Sequence, residues 1–383
     1  MIKFALESKS DGLIIAPTGS GKSLCAILPS IIESSGITVM VAPYTALCQD
    51  LARRMEQTRV PFAVWRGKGS LSSNQLRHCR LLLVHVELAC EVDFINLLKM
   101  LATSALLKRI IYDEAHIILL DCGWRMSADL SPHLKMGGDV PFIAMTATLS
   151  PSSEAAFFKK LGCPPSTRVI RASSTSRPNI KFTTIRIEGS AEKVYEAIKH
   201  DVESKHILLE EDRGIVFCNT VKQAELFSLK LENPLYVGNL NTDERRKAFA
   251  EWVSGSKSRW LVATSAFAFG VDYPHVRYVL FAGCPRDLVS FAQMSGRAGR
   301  DGLPASAIIY HYSKYQFQDL VPGEPDHCGY GEMRDFINKP LPCRRSHLSK
   351  FLDGHTTNCA SIPAAELCDM CDAPKVTGAF FII

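Results

Sequence analysis

The chain has 383 residues, 46% of them hydrophobic and 22% charged, with a formal net charge of +5. At ~150 residues per domain this is an ordinary soluble globular composition with room for about two cores and a remainder. No apolar run approaches the ~20 residues of a membrane-spanning helix, no secretory leader pattern opens the chain, and the mild basicity permits a nucleic-acid partner without demanding one.

Along the chain, residues 12–17 read as a buried strand and 21–32 as the helix it feeds. Strands follow at 37–42, 81–86, 109–112 and 142–145, with helices at 45–58 and 94–107. Strands alternating with helices imply βαβ units and a parallel sheet. Residues 163–167 and 172–178 are turn-rich and read as the linker region. The alternation then restarts, with strands at 214–218, 260–263, 278–281 and 305–311 and helices at 220–231, 243–253 and 287–294. From Pro322 the sheet pattern stops and Gly, Pro and Cys dominate. The expected fold class is α/β: two parallel-sheet lobes in tandem, residues 1–168 and 169–320, then a small helical module at 321–375 and a tail at 376–383.

Three stretches carry chemistry. Ala16-Pro17-Thr18-Gly19-Ser20-Gly21-Lys22-Ser23 is a P-loop between a strand and a helix. Gly19 and Gly21 let backbone N–H groups approach phosphate oxygens, Lys22 reaches the terminal phosphates and Ser23 can ligate magnesium. Thr18 and Ser20 complete the cradle. Asp113-Glu114-Ala115-His116 ends the strand after Ile110-Ile111-Tyr112. A carboxylate at that sheet edge can hold magnesium, and Glu114 beside it can take a proton from an attacking water. Gln293-Met294-Ser295-Gly296-Arg297-Ala298-Gly299-Arg300 sets two arginines three apart at a helix end. Such a pair, brought from another domain, can stabilise charge on a γ-phosphoryl group.

Of the 13 cysteines, nine are scattered singly, as at Cys48, Cys90 and Cys218, which fits a reducing compartment. Cys343, Cys359, Cys368 and Cys371 instead form C-x15-C-x8-C-x2-C. Four thiolates suit a closed tetrahedral zinc site. Unpaired reduced thiols are the bland alternative, and His347 or His355 could replace one ligand.

Taken together these residues resemble a superfamily 2 helicase, and more narrowly the RecQ family of DNA helicases, of which this chain looks like an N-terminally truncated, C-terminally short relative. The P-loop matches the family's first motif and Asp113-Glu114-Ala115-His116 its DEAH box. Thr146-Ala147-Thr148 matches the coupling motif, Arg177-Pro178-Asn179 the entry to the second lobe, and Gly296-Arg297-Ala298-Gly299-Arg300-Asp301-Gly302 the final motif. Val262-Ala263-Thr264 with Phe267, Gly270, Val271 and Asp272 resembles the motif touching ribose and DNA. The Cys343-Arg344-Arg345 opening of the cysteine module is similar to the family's zinc module.

The resemblance implies two RecA-like lobes closing on ATP and Mg2+, a Zn2+ module, a nuclear location, and 3′–5′ translocation on single-stranded or partly duplex DNA. It implies that Lys22, Asp113, Glu114, Gln293, Arg297 and Arg300 serve catalysis and that Asp272 meets the nucleotide. His116 would communicate with Gln293 across the cleft. Pro43, Thr45, Thr146, Thr148 and Thr264 would meet the DNA strand, positioning it without reading sequence.

Departures from the family pattern leave other outcomes open. The family's upstream adenine-reading element is not recognisable in residues 1–12. In the loop after the DEAH box, Trp124 and Arg125 sit within one residue of the family's aromatic–arginine pair, and Trp124 suits either stacking on a base or packing in a core. Ala268, Met294 and Val237 stand where the family has glycine, glutamate and histidine. A DNA-stimulated ATPase that translocates without unwinding, and a non-enzymatic DNA-binding relic, are the two alternatives.

Overall fold

A computed structural model of the chain describes residues 1–43, 45–120, 140–164, 166–268, 273–312 and 326–373, less the side chains of Thr45, Ala46 and Leu120. The first sheet holds β1 (Gly12–Ile15), β2 (Ile37–Ala42), β3 (Phe62–Trp65), β4 (Leu81–His85), β5 (Leu107–Tyr112), β6 (Phe142–Thr146) and β7 (Arg168–Arg171), ordered β3-β4-β2-β5-β6-β1-β7. All its pairings are parallel. The central strands are mostly apolar because both faces are covered, with Thr38 and Arg109 the buried polar residues of β2 and β5. Successive residues point to opposite faces. Leu13, Val39, Val41 and Val84 therefore enter one core with Phe94 and Phe157, while Ile14, Met40, Leu83 and Met145 enter another with Leu51 and Met55.

β7 pairs with β1 from Gly12↔Arg168 to Ile15↔Arg171, so the first sheet runs three residues past the boundary expected at 168. Two arginines on a four-residue edge strand disguise it as linker.

The second sheet holds β8 (Ile180–Ile187), β9 (Arg213–Cys218), β10 (Leu235–Tyr236), β11 (Trp260–Ala263), β12 (Val276–Ala282) and β13 (Ala305–Tyr312), ordered β10-β11-β9-β12-β13-β8 and again parallel throughout. Its core holds Phe182, Phe217, Trp252, Phe281 and Phe291. The helices Tyr330–Asn338 and Arg344–Asp353 put Met333, Phe336, Leu348 and Leu352 into that same core. Phe336 lies 5.1 Å from the Phe291 ring, centroid to centroid. The helical module thus continues the second lobe's interior. Among the described residues no helix is long and apolar enough to cross a membrane.

Candidate functional site

Ligands of open α/β sheets bind beyond the carboxyl ends of the strands, and both lobes turn these ends toward one crevice. On the first lobe, β1 delivers residues 16–23. Gly19 and Gly21 have φ of +83° and +80°, a left-handed backbone that a side chain strains. The loop passes directly into the helix Leu24–Ile32, through Leu24 N–H donating to Gly21 O at 3.0 Å and Cys25 N–H to Lys22 O at 2.9 Å. Lys22 is buried, and its Nζ donates to Ala16 O at 2.9 Å and Pro17 O at 3.1 Å. Ser20 Oγ is enclosed with no hydrogen-bond partner among the described residues. A positive-φ loop on a helix N-terminus, an inward ammonium and an orphaned hydroxyl fit a polyphosphate.

Directly after β5 comes Asp113, whose N–H donates to Val41 O at 3.0 Å, and Ala115 N–H donates to Met145 O at 2.9 Å. These bonds seat the acidic turn across three strands. Asp113 is buried; burial first, and the Glu114 carboxylate second, push its carboxyl up to about 7, against the pull of Lys22. A cation beside it would reverse that shift. Glu114 holds φ of +46°, unusual for a residue with a side chain, and its N–H donates to Asp113 Oδ1 at 2.9 Å. Strain of this kind persists where the surroundings over-determine it, commonly at functional sites.

His116, only 2% exposed, joins the lobes. Gln293 Nε2, from the second-lobe helix Leu288–Ser295, lies 2.6 Å from His116 Nε2 and 3.3 Å from Thr148 Oγ1. His116 Nδ1 lies 2.8 Å from Thr146 Oγ1, which also accepts from Thr148 N–H at 3.2 Å. Burial lowers the pKa of His116. A neutral ring accepting from the glutamine amide at Nε2 and donating to Thr146 from Nδ1 satisfies every contact. Glu114 Oε2 stands 3.4 Å from the same Nδ1.

The arginine turn faces the P-loop. A Cβ placed on Gly296 would lie 3.6 Å from Thr18 Oγ1. Arg297 donates to Ala268 O. The structure therefore brings Thr18, Gln293, the turn at 296–300 and the acidic turn to one crevice. Thr264, at the end of β11, is buried, its N–H donating to Tyr236 O at 3.2 Å. Pro43 is buried directly after β2, and Thr45 opens the helix Thr45–Glu56. Trp124, Arg125 and Asp272 lie outside the described residues.

Against the second lobe's core the Sγ atoms of Cys343, Cys359, Cys368 and Cys371 all lie within 4.8 Å of one another. Cys343 Sγ is 3.6 Å from Cys359 Sγ and 3.9 Å from Cys368 Sγ. Four sulfurs at ~2.3 Å from one tetrahedral ion would be about 3.8 Å apart, so the donor set fits zinc. The hydrogen bond between Cys368 and Cys343 lowers the Cys343 thiol and, with burial, raises that of Cys368 to about 12. Four thiolates need a cation to coexist there.

Sequence reasoning missed Arg177, Arg345 and Asp353 as scaffold. Arg177 lies in the segment joining the lobes and donates to Gly299 O, while Arg345 and Asp353 bond that segment from the helical module. The available signal was their place in the chain, Arg177 in Arg177-Pro178-Asn179 and Arg345 in Cys343-Arg344-Arg345.

A model of the DEAD/DEAH box helicase family matches residues 1–156, and one of the helicase conserved C-terminal domain matches residues 199–302. The ATP-dependent DNA helicase hus2/rqh1 of Schizosaccharomyces pombe is 29% identical, over 95% of this chain and 29% of its own length. The putative ATP-dependent DNA helicase Q1 of Caenorhabditis briggsae is 28% identical, over 91% and 59%. The RecQ-like DNA helicase BLM of Xenopus laevis is 26% identical, over 91% and 27%. This chain spans less than two thirds of each of these relatives. Its fold is that of S. cerevisiae Dbp5 bound to RNA and ADP BeF3 (TM-score 0.61, 18% identity, 81% of this chain and 82% of that one) and of the DUF1998 helicase MrfA bound to DNA (TM-score 0.62, 18% identity, 82% and 45%). The chain thus carries a DEAD/DEAH box helicase domain followed by a helicase C-terminal domain, and along nearly its whole length it is similar to RecQ-family DNA helicases.

Proposed function

We propose that the chain is an ATP-dependent DNA helicase acting 3′ to 5′ on single-stranded or partly duplex DNA, in the nucleus. The observation that carries this reading is the buried bridge from Gln293 to His116, which joins the second lobe to the acidic turn beside the P-loop. In this reading the domains are a nucleotide-binding lobe, a second lobe that closes on it, and a zinc-binding module formed by Cys343, Cys359, Cys368 and Cys371.

Lys22 would exchange the carbonyls of Ala16 and Pro17 for phosphate oxygens, neutralising charge that the loop amides alone share. Ser23 and Asp113 would hold magnesium, which when bound supplies Lewis acidity to the phosphate oxygens. Glu114 accepts the proton of the attacking water, held near the site by its strained backbone. Arg297 and Arg300 approach from the second lobe and offset charge on the γ-phosphoryl oxygens. Thr146 and Thr148 bond the histidine–glutamine bridge on one side and, with Pro43, Thr45, Thr264, Trp124 and Arg125, would meet the strand on the other. Closure and strand movement are then one event. Asp272 would contact the nucleotide sugar.

The test pairs ATP turnover, with and without single-stranded DNA, with strand displacement on duplexes carrying a 3′ or a 5′ tail. DNA-stimulated hydrolysis and displacement from the 3′-tailed duplex are expected. Hydrolysis without displacement would instead mark a translocase, and no ATP binding at millimolar concentration would mark a non-enzymatic DNA-binding protein.

A further inference from the structure

The arginine turn is held from behind. Arg177 Nη1 donates to Gly296 O at 3.4 Å, and its Nη2 donates to Ala298 O at 3.2 Å and Gly299 O at 2.6 Å. Asn179 Nδ2 donates to Gly299 O at 2.8 Å and Leu303 O at 2.7 Å. The fit is close: a Cβ on Gly299 would stand 2.4 Å from Asn179 Nδ2. With its carbonyls committed to these side chains, the backbone carrying Arg297 and Arg300 cannot rotate freely. The directions in which the two guanidinium groups leave it are set by the segment between the lobes.

That segment is itself gripped. Arg345, 1% exposed, donates to Arg177 O at 2.7 Å, Ser176 Oγ at 3.0 Å, Ile180 O at 2.9 Å, Pro178 O at 3.3 Å and Glu366 O at 3.1 Å. Burying a guanidinium is costly unless its donors are used; here both terminal nitrogens hold the main chain of residues 177–180 and the Ser176 hydroxyl. Arg345 stands two residues beyond Cys343, which caps the helix Arg344–Asp353, and Arg344 N–H donates to Cys368 Sγ at 3.4 Å. At the helix's other end Asp353 accepts from Thr175 N–H at 3.0 and 3.1 Å. First-lobe Arg171 also reaches this end, donating to Leu352 O at 3.0 Å.

We infer that Arg345 and Arg177 are positioning residues through which the four-cysteine module sets the aim of Arg297 and Arg300, so that the cysteine cluster controls the speed of ATP turnover. This inference rests on the proposed ATPase. A lysine in place of either arginine keeps the charge but offers one ammonium where a planar fork spans several carbonyls.

The experiment uses the full chain and its Arg177→Lys and Arg345→Lys variants. Loss of aim without loss of nucleotide binding lowers kcat by about tenfold or more and leaves the KM for ATP within about twofold. In Arg177→Ala, guanidinium added at non-denaturing concentration restores part of kcat. A second readout needs no hydrolysis: amide hydrogen exchange across residues 296–300 is faster in Arg177→Lys than in the parent. If Arg345→Lys does not fold, Arg177→Lys alone decides between the outcomes. A folded Arg177→Lys protein with unchanged exchange at 296–300, or with only a lower melting temperature and unchanged kcat, overturns the inference. A parent chain without ATPase activity overturns the proposed function instead, while the exchange experiment still decides whether Arg177 holds the turn.

Discussion

Replacing Gln293 with alanine removes the amide that bridges the lobes. His116 Nε2, 2.6 Å away, and Thr148 Oγ1, 3.3 Å away, both lose this donor in a buried setting. A stranded buried acceptor costs roughly 1–3 kcal/mol. If the cost falls on the closed arrangement, kcat drops about five- to a hundredfold, at about 1.4 kcal/mol per decade. The Gln293 amide bonds to the acidic turn and Thr148 and not to the P-loop, so the KM for ATP moves less than kcat. His116→Ala removes the same contact from the other side. The double variant should therefore cost little more than the worse single one, a coupling of about 0.5–3 kcal/mol. The assay is ATP turnover at saturating single-stranded DNA for the parent, both single variants and the double. Effects that add to within ~0.5 kcal/mol would mean that the bridge carries no shared energy, and the crevice reading would fail with it.

Lys22→Ala and Glu114→Gln are expected to abolish DNA-stimulated ATP hydrolysis, and full activity in purified Glu114→Gln would remove that residue from the role of base. One zinc per chain should be found by atomic absorption. Cys368→Ser should lower both metal content and melting temperature, the latter by more than about 5 °C, since the cluster lies against the second lobe's core; a fully stable metal-free parent would contradict this. Acid should loosen the second lobe through His206. Burial, opposed by Asp201, lowers its pKa to about 4, and its ring stacks on Tyr278 with centroids 4.3 Å apart. The folded value lies below the ordinary one near 6.5, so the stability is complete above about pH 6.5 and is lost as pH falls toward 4. The loss should be on the order of 2 kcal/mol. Melting curves of the parent and His206→Gln between pH 7 and 4.5 would check it, and equal slopes would count against it.

Much of the fold is legible in the sequence because most residues of the buried parallel strands are apolar. β2 and β11 agree with the sequence reading to the residue, and β1, β4, β5, β6, β9, β12 and β13 to within about two. What escapes lies at the sheet edges. β3 and β7 are four residues long and incompletely buried, and β10 has two residues. β8 alternates apolar and polar residues, Ile180 and Phe182 buried with Lys181 between them, a short period that the neighbouring turn-rich stretch masks. At the site, residues bearing chemistry are legible because phosphate and metal chemistry restrict residue type and spacing. The scaffold role of Arg177, Arg345 and Asp353 is not, since a motif marks Arg177 and Arg345 without showing that they bond main-chain groups.

The helices Tyr330–Asn338 and Arg344–Asp353 share one interior with Phe182 and Phe291. A protein cut at the end of β13 would therefore be an open half-shell, with aromatic rings facing water where Phe336 and Leu352 had sat. Such a fragment should precipitate or recruit chaperones even though every nucleotide-handling residue remained, and minimal versions for crystallisation or screening should retain the chain through Asp372.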